Sequence, residues 1–506
     1  MLRRTIVVAL FALCSACEIN NSWAGAEPRE VAPAVLVVRQ PPAEVTSSAL
    51  LPQLIAAPRA PEDGSDARPF ASLRAALSLA PPGALLRVED GIWREQLTIT
   101  RAVVLMGRGA GRTRLVPPEG TRVAVEVRGA DHVQLYGLSI EGAAVGVQFT
   151  GGAGHRLENV DLHDFAESAL QGRGAEISLN SSTVREVAGG TKGHGIDIEG
   201  GALEARRVSF KDAGRRAIVI TGAQGRLEDL EVRGSAVAAV QALDKADVHV
   251  LRGEFDGQGG AALYAGAARL SVEDAHVRHN EYGIIAARGS ELSALGNEIT
   301  DYRVAGVALN KAHGTIQRTL IARGGTESAI SITLADGKTP VLLVDNRIQN
   351  PGTMGVHITG SSVTARGNTI TGAWPDREKD MGDAFFVIES KLVVEESVMR
   401  SNAGSGVASI RSTVTSAGNG FIGNGRAGLL LLDRSKGTAT GNLFQRNAFA
   451  AVEVGEQAQA TLSKNRFEGN PRLDIETGCG KGLAGTFELQ AGNTFATPLR
   501  RRQCVE

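Results

Sequence analysis

The sequence predicts an all-β protein: a single-stranded, right-handed parallel β-helix solenoid with an N-terminal capping helix. An apolar residue recurs about every 22 positions along most of the chain. Glycine is abundant, at 62 residues, and supplies the tight bends that a coil needs. Aromatic residues make up only 4% of the 506 residues, which favours thin, regularly turning layers over a bulky globular core.

The repeating unit is defined by an anchor position that lies two residues before an apolar residue. The anchors are Leu138, Val160, Ser182, Val208, Leu230, Gly253, Ala275, Asn297, Arg318, Asn346, Asn368, Ser397, Asn419, Asn442 and Asn465. The residues two positions later are Ile140, Leu162, Val184, Phe210, Val232, Phe255, Val277, Ile299, Leu320, Ile348, Ile370, Met399, Phe421, Phe444 and Phe467. Because every one of these is apolar, they predict one continuous interior column.

Each unit carries a second alternating stretch about ten residues later, such as 330–332 and 452–454. Two or three short strands per unit describe one coil of a parallel β-helix, and successive coils stack about 4.8 Å apart. Some 17 coils therefore predict a rod about 80 Å long.

Asparagines recur in two registers of the unit. Asn297, Asn346, Asn368, Asn419, Asn442 and Asn465 stand at anchors, and Asn280, Asn402, Asn424, Asn447 and Asn470 stand five residues past theirs. Asparagine tolerates the left-handed backbone of a tight corner, and stacked amides can hydrogen-bond in a ladder. We interpret these residues as scaffold.

Residues 1–26 are interpreted as an export signal, with Arg3 and Arg4 before the apolar run 5–13. Two processing routes stay open. In one, Cys17 is lipidated and becomes the mature N-terminus; in the other, an ordinary signal peptidase cleaves at Ala24–Ala26. We therefore expect a periplasmic or outer-membrane lipoprotein, with secretion as the alternative, and membrane contact only through a lipid anchor.

The rest of the chain divides by composition and pattern. Residues 27–60 are rich in Pro and Ala and are interpreted as a tether. Residues 61–137 should form an N-terminal cap and the first coils, with a helix at Phe70–Ala80. The repeats occupy residues 138–478.

Residues 479–506 are predicted to cap the C-terminus. Cys479 and Cys504 are expected to form a disulfide in an oxidising compartment, and it would pin the last turn.

Charge and residue clusters exclude several functions. The formal net charge is −1, so there is no basic excess that would favour nucleic acid. The nine histidines are scattered, and no set of three or four converging metal ligands emerges. We expect no metal and no cofactor.

The repeat, written Asn-x-[Ile/Phe]-x-x-Asn as at 442–447, resembles the pectate-lyase-like superfamily of parallel β-helices, and in particular its carbohydrate-binding and sugar-hydrolase-type repeats. The resemblance covers roughly residues 61–495 and implies a polysaccharide partner. Gly193-His194-Gly195 matches a short polygalacturonase motif. However, no Asp-Asp pair is present to supply the paired carboxylates of that class, and the Asp-Pro-His-Asp element of mannuronan epimerases is absent.

Residues one and three positions past each anchor should point outward and form a polar strip. The candidate acids and bases are Glu231, Glu254, Asp256 and His194, and the candidate substrate-binding residues are Arg233, Arg278, Tyr264 and Tyr282. Carboxylates can transfer protons, guanidinium groups can hold uronate carboxylates, and tyrosines can stack on sugars. The competing interpretation is a solvated sheet face with weak ion pairs.

The resulting hypothesis is an exported β-helix that binds an acidic polysaccharide, with processing of that polysaccharide left open. The rival is a non-catalytic structural or adhesion protein that presents loops to a partner. Two longer segments, 186–194 and 372–383, are predicted to protrude from one edge of the solenoid.

Overall fold

The computed structural model describes residues 34–40, 62–188, 193–335, 339–375, 381–477 and 485–502. Within them the chain winds through about 17 turns of a parallel β-solenoid and contains one α-helix. Each turn contributes three short strands. We call their stacks the first sheet (the stack of Glu231–Arg233), the second sheet (the stack of Ala238–Leu243) and the third sheet (the stack of Asp247–Leu251).

All three sheets are parallel, and each strand pairs with the equivalent strand one turn away. Three long strands pass through corners and join more than one sheet: Ser139–Thr150, Asp161–Asn180 and His194–Arg206. The other first-sheet strands are Gly91–Trp93, Thr113–Leu115, Thr183–Val187, Ser209–Ala213, Glu231–Arg233, Glu254–Asp256, His276–Arg278, Glu298–Thr300, Leu320–Ala322, Arg347–Gln349, Thr369–Thr371, Val398–Arg400, Gly420–Ile422, Leu443–Gln445, Arg466–Glu468 and Thr494–Phe495.

The remaining strands belong to the other two sheets. Those of the second sheet are Leu97–Ile99, Val123–Arg128, Arg216–Thr221, Ala238–Leu243, Ala261–Gly266, Tyr282–Ala287, Ala305–Asn310, Ser328–Thr333, Met354–Thr359, Phe385–Ile388, Val407–Ile410, Ala427–Leu432, Ala450–Val454, Leu473–Thr477 and Arg501–Arg502. Those of the third sheet are Val35–Val38, Ala84–Val88, Val103–Met106, Gln134–Tyr136, His155–Glu158, Gln224–Glu228, Asp247–Leu251, Arg269–Glu273, Glu291–Leu295, His313–Gln317, Val341–Val344, Ser362–Arg366, Lys391–Glu395, Thr413–Ala417, Lys436–Thr440, Gln459–Ser463 and Thr486–Leu489.

The predicted helix is present but shorter, at Leu73–Leu79. Ser72 is its N-cap, and its side chain accepts a hydrogen bond from the N–H of Ala75. Glu95 completes this end, because its carboxylate accepts from Ser72 Oγ at 2.7 Å and from the first two helical N–H groups at 2.8 and 2.9 Å. The helix buries its apolar side in the core; its role as a cap stays a prediction.

Part of the predicted tether is a strand instead. Val35–Val38, inside the predicted tether, pairs in parallel with Ala84–Val88, a strand of the segment predicted as the cap and first coils. The segment that follows lies along the outer edge of this strand: the N–H of Val37 donates to Gly64 O at 2.7 Å, and the N–H of Phe70 donates to Val37 O at 3.0 Å. These bonds satisfy backbone groups that an open sheet edge would expose.

The predicted interior column exists, with one error of register. Of the predicted positions, all but Leu320 are fully buried, and they stack strand upon strand. Leu320 lies half-exposed, while Ile321 pairs with Ile299 and Ile348 and is buried. The true anchor is therefore Thr319, one residue beyond Arg318.

The asparagines form buried ladders, as predicted. Asn346 shows the pattern: its Nδ2 donates to Asn368 Oδ1 at 3.0 Å and to the carbonyl of Ile316 at 2.7 Å. The conformational part of the prediction is wrong, because the left-handed corner residue precedes the anchor. Asp345 (φ 53°) and Arg318 (φ 48°) occupy that corner. The asparagine beside it serves hydrogen bonding alone.

Several predictions fall outside the described residues: the signal at 1–26, Cys17, and the cysteine pair Cys479 and Cys504. Residues 485–502, assigned to the C-terminal cap, continue the three sheets by one further turn. Among the described helices, none has the length and apolar character to cross a membrane.

Candidate functional site

The candidate carboxylates and guanidinium groups of the first sheet point outward, as predicted. Between them, Val232, Phe255 and Val277 point into the core and are buried. Glu231 and Arg233 flank Val232 on one strand and pair with each other at 2.6 Å. They therefore neutralise each other on an exposed surface.

A depression of about 410 Å³ lies further along this face. Its lining residues are Glu254, Phe255, His276, Val277, Arg278, His279, Glu298, Thr300, Asp301 and Arg323. Asp256, on the strand of Glu254, accepts from Arg278 Nε at 3.0 Å and contacts His279 Nδ1 at 2.9 Å. The backbone N–H of Glu254 donates to Leu230 O at 2.8 Å, whereas its carboxylate makes no hydrogen bond or ion pair with any described residue.

The electrostatics of this depression favour fixed charges over proton transfer. Burial alone would raise the pKa of Asp256, but hydrogen bonds from His279 and Arg278 outweigh it, and the net pKa lies below its ordinary value. Hydrogen bonding to Arg323 likewise lowers the pKa of Asp301. These carboxylates stay ionised, and the guanidinium groups are already paired.

The outer face of the second sheet has a different character. In the strand Ala427–Leu432, Leu429 and Leu431 belong to the core, whereas Leu430 points outward. Leu430 and its neighbour Ala408 are nevertheless only 3% exposed each, because they form a separate apolar cluster with Ala427, Phe386 and Leu432. This outward face is therefore shielded from solvent.

One outward column of the second sheet carries aromatic and polar side chains in register. We call it the second-sheet track: Gln148, Gln171, Asp197, Val219, Gln241, Tyr264, Ile285, Ala308, Ser331, His357, Phe386, Ala408, Leu430 and Glu453. The rings of His357 and Phe386 stack with centroids 5.9 Å apart. Arg426 closes one end of the track by a two-bond pair with Glu453, at 3.0 and 3.1 Å.

Four half-buried titratable groups on this face are shifted toward their neutral forms. Burial lowers the pKa of His194 and of His357. Burial and the neighbouring Arg215 lower the pKa of Arg216. Burial, reinforced by the charge of Glu327, raises the pKa of Tyr282.

The structure therefore separates the predicted site residues onto two faces. Glu231, Arg233, Glu254, Asp256 and Arg278 lie on the first sheet, and three of them, Glu254, Asp256 and Arg278, meet at the depression. His194, Tyr264 and Tyr282 lie on the second sheet.

A further tyrosine, Tyr302, belongs to the core and to neither outward face. It is 2% exposed in the core, and its hydroxyl donates to Pro351 O at 2.8 Å.

Sequence reasoning missed Glu327, His357 and Phe386. A signal for the last two exists, because each occupies the same place as Ser331 in the alternating stretch 330–332. The residue between two inward apolar residues points outward. The middle residues of successive stretches, such as Ser331, His357 and Phe386, therefore form one outward column.

A depression larger than the first-sheet one lies on a third face. About 710 Å³ in volume, it lies over the third sheet between Gly154 and His249. Two of its carboxylates form exposed pairs with neighbours on this sheet: Glu204 with Arg206 at 2.6 Å and Asp247 with Arg269 at 3.6 Å. Such pairs are typical of a solvated face, so volume alone does not identify the site.

A family model, the right-handed β-helix region, matches residues 194–370 and 328–495. No curated protein matches the chain.

Solved structures resemble the chain only at low identity. The mannuronan C-5 epimerase AlgE6 A-module of Azotobacter vinelandii is 12% identical, with 84% of this chain and 94% of that chain covered and a TM-score of 0.30. The periplasmic alginate epimerase AlgG is 12% identical (69% and 83% covered, TM-score 0.33), and pectate lyase Pel9A is 11% identical (61% and 75% covered, TM-score 0.30). Activity must be argued from the chain's own residues.

Proposed function

The chain belongs to the right-handed β-helix family, and we propose that it binds an acidic polysaccharide along the second-sheet track and processes it there. The polymer would run parallel to the solenoid axis, so that successive sugar residues meet successive turns about 4.8 Å apart. In keeping with the export signal that the sequence predicts, the site would work outside the cytoplasm, on a lipoprotein or a secreted chain.

One observation carries the proposal. The outward groups that burial stabilises in their neutral form lie on the same face as the outward-pointing aromatic rings. Those groups are His194, Arg216, Tyr282 and His357. Perturbed titratable groups concentrate at functional sites, since proton transfer needs groups of matched pKa. The first-sheet depression instead holds ion pairs that keep their charges.

The track offers one stacking surface and one group suited to proton transfer, His357; a second titratable group, Tyr282, lies beside the track on the strand that carries Ile285. Tyr264 presents its ring between Gln241 and Ile285. Tyr282 keeps its proton and can donate it, whereas His357, neutral at neutral pH, can accept one. Three turns separate their strands, or about 14 Å. They therefore act at two points of one bound chain.

Glu327 links these two groups. Its charge raises the pKa of Tyr282 and opposes the effect of burial on His357. A carboxylate so placed can stabilise the imidazolium that forms when His357 takes a proton. His357 would take a proton from one sugar residue and return it to the same residue, while Tyr282, three turns away, would fix the register of the bound chain by donating a hydrogen bond to another residue.

Binding is tested by calorimetry with a panel of uronate-containing and neutral polysaccharides. We expect a uronate polymer to bind, and Tyr264→Ala to weaken that binding about fivefold, the effect of losing one aromatic contact. The matched control is Tyr136→Ala, since Tyr136 lies on the third sheet and contacts Arg156 and Gln134. No binding by any polysaccharide in the panel would overturn the proposal and favour the structural or adhesion protein.

Processing is tested with the bound polymer by measuring unsaturated ends, reducing ends and inverted sugar residues. We expect Tyr282→Phe and His357→Gln to abolish product while leaving binding intact. Glu254→Gln serves as the comparison from the first sheet and should keep full activity. Loss of product in Glu254→Gln alone would move the site to the first-sheet depression; binding with no product in the wild type would leave a binding protein.

A further inference from the structure

Two basic side chains lie on neighbouring strands where the second sheet begins. His194 and Arg216 are in register on neighbouring strands and are both half-buried. His194 Nδ1 and Arg216 Nε are shut off from solvent and have no hydrogen-bond partner among the described residues. A buried donor left in this state costs about 1–3 kcal/mol. Both residues therefore retain unused hydrogen-bonding capacity.

No described carboxylate forms an ion pair with His194 or Arg216. The charge of Asp197, on the strand of His194, opposes the effect of burial on the pKa of His194, but this carboxylate is itself paired with Arg173 at 3.1 Å. Arg216 therefore has no carboxylate partner among the described residues, in contrast to the first-sheet depression, where Arg278 and Arg323 each have one.

The surroundings of the pair suit a sugar residue. Gln148 Nε2 donates to Gln171 Oε1 at 3.2 Å, Gln171 Nε2 donates to Ser168 Oγ at 3.3 Å, and Ser168 is in register with His194 one turn further on. Gln241 follows one turn beyond Arg216. Amide side chains both donate to and accept from hydroxyl groups.

We propose that His194 and Arg216 form a subsite for an anionic group, carboxylate or sulfate, of a sugar residue bound on the second-sheet track. A guanidinium group recognises either anion through parallel N–H donors. The subsite rests on the proposed function and deepens it, because it names the chemical group that positions the polymer. Arg216 lies two turns, or about 10 Å, from the strand of Tyr264. Binding one acidic sugar residue at Arg216 therefore determines which residue of the polymer contacts the Tyr264 ring.

The test compares an oligouronate with the same oligosaccharide after reduction of its carboxyl groups, both titrated by calorimetry. We expect Arg216→Gln and His194→Gln each to weaken oligouronate binding about tenfold, since a charge-assisted hydrogen bond of this kind is lost. Both variants should bind the carboxyl-reduced oligosaccharide as the wild type does. A sulfated oligosaccharide of the same length forms a second arm that separates the two anions; tighter binding to either than to the reduced form supports the subsite.

Controls separate a failure of the subsite from a failure of the function. Arg226→Gln removes a guanidinium group from the third sheet and should change nothing, while Arg216→Lys retains the charge and should recover part of the affinity. Thermal unfolding of each variant checks that the fold is retained. If Tyr264→Ala weakens binding but Arg216→Gln does not, the subsite is wrong and the function stands. If no oligosaccharide binds the wild type, the function itself is wrong.

Discussion

Asn419 Nδ2 donates a hydrogen bond to Asn442 Oδ1 at 3.0 Å, across 23 residues of sequence and one turn of the solenoid. The same Nδ2 also donates to the carbonyl of Val394 at 2.8 Å, and Asn419 Oδ1 accepts from the backbone N–H of Ser397 at 2.8 Å. One amide thus satisfies two backbone groups of the preceding turn and bonds to the side-chain amide of the following turn. Stacking of such amides keeps buried corners free of unpaired polar atoms.

Asn419→Ala should therefore destabilise the solenoid by about 1–3 kcal/mol, because buried donors and acceptors on both sides lose their partner. Chemical denaturation followed by circular dichroism measures the change. The control is Asn180→Ala, at a half-exposed position on the third sheet where water can replace the lost bond to Ser178. Equal effects of the two substitutions would contradict the structural role assigned to the ladder.

Phe444 lies between Phe421, at 4.8 Å, and Phe467, at 5.2 Å, in a column of stacked core rings. Removing the middle ring leaves a cavity that a regular solenoid cannot close by moving one turn, so Phe444→Ala should cost about 3–5 kcal/mol in the free energy of unfolding. Phe449→Ala is the comparison, since that ring is half-exposed beside Arg472. The prediction fails if the two variants unfold at the same denaturant concentration.

The interior column could be predicted from the sequence because its period is enforced by geometry: each turn must return one apolar side chain to the axis. The single error, at Leu320, has a clear cause. Leu320 and Ile321 are both apolar, so alternation alone does not decide which points inward. The hydrogen bond from the N–H of Thr319 to Asn346 Oδ1, at 3.0 Å, settles the register and is invisible in the sequence.

The candidate site was only partly predictable, for a different reason. His194, Tyr264 and Tyr282 were found, yet they were combined with first-sheet carboxylates such as Glu254. Periodicity indicates whether a side chain points outward but not how the neighbouring corners shield it. Burial lowers the pKa of His357, whereas the first-sheet depression is open to solvent. This shielding depends on how whole turns of the solenoid pack against each other.

The stability of the protein should fall as the pH drops below about 6.5, and His155 should contribute to this fall. The ring is 1% exposed and lies tilted against Phe149, with ring centroids 4.4 Å apart, and burial lowers its pKa below the ordinary 6.5. Below that pH the unfolded chain takes up a proton that the folded ring resists, so the folded state loses stability until the pH reaches the folded pKa. The slope for one group is at most about 1.4 kcal/mol per pH unit.

The measurement is the free energy of unfolding at pH 7 and pH 5 for the wild type and His155→Leu. The free energy of unfolding should fall more between pH 7 and pH 5 in the wild type than in the variant. Part of the loss should persist in the variant, because burial also lowers the pKa of His194 and His357. Identical losses in both proteins would show that His155 does not couple to folding.

The shielding of the second-sheet track can be tested through His357 itself. Phe386 stacks on this ring, and its own side chain joins the outward apolar cluster of Ala408 and Leu430. Phe386→Ala should admit water to the imidazole and raise the pKa of His357 toward its ordinary value of 6.5, because burial is the largest cause of its present shift. Tyr264→Ala, four turns from the strand of His357, should leave the titration unchanged.

The pKa of His357 in both variants is measured by NMR from the pH dependence of the histidine ring signals. The His357 signal is assigned from its loss in His357→Gln. A pKa of His357 that stays fixed when Phe386 is truncated would mean that the track does not shield its titratable groups, and the assignment of the site to this face would lose its physical basis.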